Sequence, residues 1–234
     1  MSGNKVRNLL STQDLVKDRV TSLLARAMDY QEAFLSGKGY SDLLSGKILA
    51  TLFFEPSTRT RLSFESAMLR LGGSMTAMEG IHSSVKKGES LSDMGRIISG
   101  YADIVVMRHP TPYSVAEFAS KSTIPVINAG DGANEHPTQA LLDLYTIQRE
   151  KGTLDGLKIG FLGDLKYGRT VHSLVSLLEG HQSELHFISD PSLRLPDEKR
   201  EALSASGVRC VEHDNLSKCI GELDVLYATR LQEE

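Results

Sequence analysis

The sequence predicts an α/β protein made of two doubly wound parallel sheets, on three observations. Short apolar runs alternate with amphipathic stretches along the chain, the pattern of parallel strands covered by helices on both faces. No internal repeat or low-complexity tract interrupts the alternation. A polar glycine turn at Glu150–Gly156 precedes a fresh strand and divides the 234 residues into two units, a length that accommodates two modest domains.

The elements follow in order. Leu15–Leu35 is the first helical stretch, and Ile48–Phe54 the first strand, broken by Pro56. Ser57 or Thr58 can cap the next helix, Arg59–Leu71. Strand Ser74–Met78, helix Leu91–Tyr101, strand Ile104–Met107, helix Ser114–Lys121 and strand Pro125–Asn128 continue the alternation. Helix Pro137–Arg149 opens on proline, which suits the first helical position, and gathers Leu141, Leu142, Tyr145 and Ile147 on one face. Strands Lys158–Leu162, Leu185–Ile188, Gly207–Val211 and Asp224–Tyr227 then alternate with helices Thr170–Leu178 and Asp197–Ser204. The expected division is a domain over residues 1–138, a connecting helix over 139–150, and a second domain over 151–234.

Composition excludes several classes. With 26 Lys+Arg against 30 Asp+Glu and a net charge of −4, the chain lacks the basic excess of a nucleic-acid binder. No apolar run approaches the ~20 residues of a membrane span, and residues 1–20 lack a signal peptide's apolar centre. Cys210 and Cys219 have no CxxC spacing, which argues for two reduced thiols and a cytoplasmic protein without structural zinc. His172, His181, His186 and His213 show no convergent carboxylate or cysteine spacing and are given no role. No metal or cofactor is expected.

Ligands of open α/β sheets bind beyond the carboxyl ends of strands, so the strand-end loops hold the candidates. Glu55-Pro56-Ser57-Thr58-Arg59-Thr60-Arg61 places three hydroxyls and two guanidiniums at a helix N-terminus, a natural phosphate site. Ser83-Ser84-Val85-Lys86-Lys87-Gly88-Glu89 is either an anion-seeking loop or a solvated one. Arg108 ends a strand and either forks onto an anion or decorates a loop. Gly130-x-Gly132 lacks the third glycine of the dinucleotide fingerprint, while His136 and Gln139 stand together at a helix mouth. Gly163-Asp164-Leu165-Lys166-Tyr167-Gly168-Arg169 and Thr229-Arg230-Leu231-Gln232 repeat the same arrangement in the second unit. Arg169 and Arg230 converging there would suit a dicarboxylate.

Together these segments resemble the aspartate/ornithine carbamoyltransferase family over essentially the whole chain. Ser57-Thr58-Arg59-Thr60-Arg61 resembles its carbamoyl-phosphate motif and His136-Pro137-Thr138-Gln139 its second shared motif. The Ser83–Glu89, Gly163–Ser173 and Thr229–Gln232 segments resemble the aspartate-using branch. The resemblance implies the family fold, with a carbamoyl-phosphate domain followed by an aspartate domain. It also implies transfer of the carbamoyl group to the α-amine of L-aspartate, an early step of pyrimidine biosynthesis.

By the same resemblance Ser57, Thr58, Arg59, Thr60 and Arg108 hold the phosphate. Thr60, Arg108 and His136 polarise the carbamoyl carbonyl, and Gln139 holds its amide. Arg169, Arg230 and Gln232 bind the aspartate carboxylates. Ser83 and Lys87 reach into a neighbouring subunit's site, Lys87 toward both substrates, which implies a homotrimer with shared active sites. A glutamate matching Glu55 is expected to bridge the domains and steady Arg169. Family catalytic chains continue beyond position 234, so the second domain is expected to be incomplete. The alternatives are an ornithine carbamoyltransferase, whose cationic substrate Arg169 and Arg230 would repel, and a non-catalytic homologue. Regulatory subunits or fusion partners are not legible in the sequence.

Overall fold

The computed structural model describes residues 8–79 and 90–229. Its elements are α1 (Lys17–Leu35), β1 (Ile48–Phe53), α2 (Thr58–Arg70), β2 (Ser74–Glu79), α3 (Leu91–Ile98), β3 (Ile104–His109), α4 (Ser114–Ala119), β4 (Val126–Asp131), α5 (Pro137–Lys151), β5 (Lys158–Leu162), α6 (Arg169–Leu178), β6 (Glu184–Ile188), α7 (Asp197–Ala205), β7 (Arg209–His213) and β8 (Val225–Ala228). Short 3-10 turns lie at Thr12–Asp14, Pro191–Leu193, Leu216–Lys218 and Ile220–Glu222. The chain divides into two compact units, Met1–Pro137 and Thr138–Glu234, so α5 groups with the second.

The first unit is a parallel sheet in the order β2-β1-β3-β4. Side chains of a strand alternate between faces, and β1 sorts accordingly. Ala50 and Leu52 join Leu91 and Met94 of α3 and Val115 and Phe118 of α4. Leu49 and Phe53 join Met68 of α2 on the other face. Thr51 also faces α2, and its hydroxyl donates to the buried Glu65 carboxylate at 3.2 Å. The sheet is thus covered on both sides, as the alternation predicts.

Two strand ends run further than the apolar pattern indicates. Arg108 lies within β3, in register with Phe53, because the ladder continues past the hydrophobic run: the Phe54 amide donates to the Arg108 carbonyl at 2.9 Å. β4 extends through Ala129 and Gly130 to Asp131, which pairs with His109.

The second unit is a parallel sheet in the order β7-β6-β5-β8. Ile159, Phe161, Leu185 and Phe187 are buried, with Val171, Leu174 and Leu178 of α6 buried as well. In α5 the helical period holds through a set that shares only Ile147 with the expected face. Ala140, Leu144 and Ile147 are the buried ones, whereas Leu142, expected on the apolar face, is 55% exposed. Among the described residues no helix is long and apolar enough to cross a membrane.

Candidate active site

Each sheet reverses direction at one place. In the first unit β1 leads outward to β2, and the chain then returns across β1 to β3. In the second, β5 leads to β6 and β7 before the return to β8. Loops diverge at these reversals, and the crevice left at the carboxyl ends of the strands receives ligands in open α/β sheets. The segments there are residues 54–60 after β1, Arg108–Pro110 of and after β3, residues 163–169 after β5, and Thr229 after β8.

The helices that open from the candidate loops differ from the others in one electrostatic respect. α1, α3, α4 and α7 carry an acidic residue in the first turn: Asp18, Asp93, Glu117, and the pair Asp197 and Glu198. α2, α5 and α6 carry none. A helix N-terminus holds unbonded amides and about half a positive charge, which an acidic side chain partly neutralises. The N-termini of α2, α5 and α6 lack this neutralisation by a first-turn carboxylate.

At α2, Ser57 occupies the capping position expected for Ser57 or Thr58, yet its hydroxyl makes no capping bond. Thr58 and Arg59 are exposed in the first turn, and Ser57 and Thr60 are half-buried. The two arginines of the motif separate. Arg61 turns inward, donating from Nε to Glu65 at 2.8 Å, and so braces the helix above Thr51. Arg59 is left on the surface.

Arg108 is fixed from below. Its Nε donates to Glu55 Oε1 at 2.6 Å and its Nη1 reaches the Ala129 carbonyl at 3.5 Å. Glu55, expected to steady Arg169, is engaged here with Arg108 inside the first unit. His109 packs its ring on Phe54 at 4.9 Å, and burial lowers its pKa from the ordinary histidine value.

His136 is 5% exposed and lies one residue before α5. A polar frame holds its loop. Asp131 accepts from the Tyr113 and Glu135 amides and from the Asn128 and Asn134 side chains, at 2.9–3.1 Å. Glu135 accepts from Ser11 Oγ, the Thr12 amide and Thr12 Oγ1. A buried carboxylate saturated in this way makes a rigid loop, although sequence patterning gives these residues no role.

In the second unit Gln139 Nε2 donates to Asp143 Oδ1 at 2.9 Å, and Tyr227 Oη donates to Asp143 Oδ2 at 3.1 Å. The Gln139 side chain is thereby oriented with its amide nitrogen held by the helix. The four-residue spacing of Gln139 and Asp143 is a signal the sequence offered. Burial raises the Asp143 pKa, and burial, against a hydrogen bond from Thr170, pushes the Tyr227 phenol up to about 12.

The loop after β5 is set by Asp164, whose Oδ1 accepts from the Lys166 and Tyr167 amides. Gly163 has φ +121°, and a Cβ there would lie 2.7 Å from the Thr229 carbonyl oxygen. Only glycine lets the loops after β5 and β8 approach this closely. Arg169 is the first residue of α6 and half-buried. Ser83, Lys87, Arg230 and Gln232 lie outside the described residues.

Comparison with known proteins places this arrangement. Residues 7–149 match the family described as aspartate/ornithine carbamoyltransferase, carbamoyl-P binding domain. The chain is 52% identical over 231 residues to the aspartate carbamoyltransferase catalytic subunit of Methanocaldococcus jannaschii, covering 98% of this chain and 75% of that protein. Among solved structures, the catalytic subunit of M. jannaschii aspartate transcarbamoylase superposes with a TM-score of 0.91, at 52% identity over 97% of this chain and 74% of that one. The Trypanosoma cruzi aspartate transcarbamoylase in complex with carbamoyl phosphate and aspartate also gives 0.91, at 40% identity over 97% of this chain and 78% of that one. Sequence and fold agree, and the chain belongs to the aspartate/ornithine carbamoyltransferase family, among the aspartate carbamoyltransferase catalytic subunits.

Proposed function

We propose that the chain transfers the carbamoyl group of carbamoyl phosphate to the α-amine of L-aspartate, giving N-carbamoyl-L-aspartate and phosphate. The observation that carries this reading is the set of three helices, α2, α5 and α6, opening at strand ends without acidic first turns. Both substrates are anions, and each needs amide donors and guanidiniums placed in advance. The related T. cruzi enzyme is described in complex with the same two substrates.

The roles are those the family resemblance implies, and the residue chemistry suits them. Ser57, Thr58, Arg59 and Thr60 present hydroxyls, amides and a guanidinium to the phosphoryl group at the start of α2, with Arg108 held beside them by Glu55. As the amine attacks, the carbonyl oxygen gains negative charge, and Thr60, Arg108 and His136 are the donors proposed to stabilise it. Gln139, with its nitrogen engaged by Asp143, keeps its carbonyl oxygen to accept from the carbamoyl NH2. Arg169, Arg230 and Gln232 take the aspartate carboxylates. The C–O bond to phosphate breaks as the C–N bond forms, and the departing phosphate accepts the amine proton. No protein group need be oxidised or reduced.

Ser83 and Lys87 are assigned to the site of a neighbouring copy, which makes the working unit a homotrimer. The two free cysteines, Cys210 and Cys219, fit a reducing compartment, and we place the reaction in the cytoplasm as part of pyrimidine synthesis. Product analysis with aspartate and ornithine supplied together tests the assignment. N-carbamoyl-aspartate alone is expected, from a species of three times the chain mass in sedimentation equilibrium. Carbamoylation of ornithine instead, or an active monomer, would contradict it.

A further inference from the structure

His186, His213 and Cys219 carry no ligand spacing in the sequence, yet the fold brings them together on one face of the second sheet. β6 and β7 pair in register with Ile188 opposite His213, so Glu184, His186 and Ile188 share a face with Arg209, Val211 and His213. His186 and His213 are therefore diagonal neighbours. The connection from β7 returns over this face to reach β8 beyond β5. Its passage is marked by the Lys158–Glu222 ion pair at 3.0 Å. It is marked again by Gly160, where a Cβ would meet Leu223 Cδ1 at 2.5 Å. On the way it buries Cys219, 2% exposed, beside the histidines. One nitrogen from each histidine and the Cys219 sulfur all lie within 4.8 Å of one another.

We propose that His186, His213 and Cys219 form a mononuclear site for a late first-row divalent metal ion, zinc in the first instance, with water as fourth ligand. Two imidazoles and a thiolate are the donor set that borderline-soft ions select over magnesium or calcium. A carboxylate also stands near the far nitrogen of the inner ring. His186 Nδ1 faces His213 Nε2 at 2.9 Å, while its Nε2 lies 3.1 Å from Glu184 Oε1. A carboxylate on the far nitrogen is the partner that fixes tautomer and ring orientation in metal-bound histidines.

That second contact is close in distance but off hydrogen-bond alignment, so the buried Nε2 lacks a well-directed partner. Binding an ion at Nδ1 fixes the proton on Nε2 and strengthens its attraction to Glu184. The plain alternative is a stacked histidine pair, 5.1 Å between ring centroids, sharing one proton beside an inert thiol. Tetrahedral bonds of about 2.0–2.1 Å to nitrogen and 2.3 Å to sulfur set the ligand atoms roughly 3.3–3.7 Å apart. Reaching that spacing draws the widest separation, at most 4.8 Å, in by about 1 Å and parts the two histidine nitrogens from 2.9 Å by about 0.4 Å, shifts on the scale of side-chain rotation. The half-buried His213 leaves an entry path.

Titration of the metal-free 234-residue chain with cobalt(II) tests the site directly. The expected result is one cobalt per chain, with tetrahedral visible bands and a sulfur-to-cobalt charge-transfer band, all displaced by zinc. Cys219→Ala should abolish the charge-transfer band, whereas Cys210→Ala should leave it intact. Absence of stoichiometric binding in the unsubstituted chain would overturn the proposal, as would cobalt bound without the sulfur band or a band that follows Cys210. The unsubstituted chain decides the question even if the Cys219 variant fails to fold.

Discussion

At the scale of single residues, the motif arginines show how alike side chains part company. Arg59 and Arg61 are two positions apart in one helix, so they point in different directions; Arg61 is drawn to the buried Glu65 and Arg59 stays outside. No single-sequence pattern distinguishes them, because the discriminating partner is a carboxylate made visible only by α2 lying on β1. His136 is different: its place before a proline-opened helix was legible, and the Asp131 and Glu135 network around it was not. If His136 donates to the oxyanion, His136→Ala lowers kcat by ~10²–10³; steady-state kinetics showing an unchanged kcat with a raised KM would instead make it a ground-state contact. Tyr227 gives a prediction in pH. Its folded-state pKa of about 12 lies above the ordinary phenol value of 10.0, so the native state keeps a proton that the unfolded chain loses. Stability contributed by this group is intact below pH 10 and lost as pH rises toward about 12. Urea midpoints measured across that range should fall less steeply in Tyr227→Phe, and superimposable slopes would mean that the phenol is not desolvated.

At the scale of elements, the apolar rhythm was enough to place strands and helices, because buried parallel strands are short hydrophobic runs. It failed where elements extend through polar residues. β3 continues through Arg108 and His109, and β4 through Gly130 and Asp131, because ladder hydrogen bonds do not depend on side-chain polarity. It also misjudged the buried stripe of α5, where Leu142 points outward. The missing acidic first turns of α2, α5 and α6 were open to inspection in the sequence, but they gain meaning only beside the four helices that have them. This difference predicts a conflict between stability and function. Ser57→Asp should supply the absent cap and stabilise the fold by about 0.5–1 kcal/mol. The same carboxylate occupies and repels the anion's place, so carbamoyl phosphate should bind roughly tenfold or more weakly. Paired denaturation and binding measurements check it; a variant that binds normally would separate α2 from phosphate recognition.

At the scale of the whole molecule, two four-stranded parallel sheets each reverse direction once, and the candidate loops gather at those reversals. Strand order was not legible in the sequence, since which strand returns beside which is decided by long-range pairing. The alternation of elements nevertheless restricted the answer to covered parallel sheets. The convergence of His186, His213 and Cys219 belongs to this scale too, because it exists only after β7 crosses back to β8. The central claim is that the chain reserves particular helix ends for its anionic substrates. Backbone amide shifts during titration with carbamoyl phosphate test it most directly. The account predicts that the amides of Thr58, Arg59 and Thr60 move in a saturable way while those opening α1, α3 and α7 stay still. Saturable shifts confined to the acidic-ended helices, with Thr58–Thr60 unmoved, would contradict it.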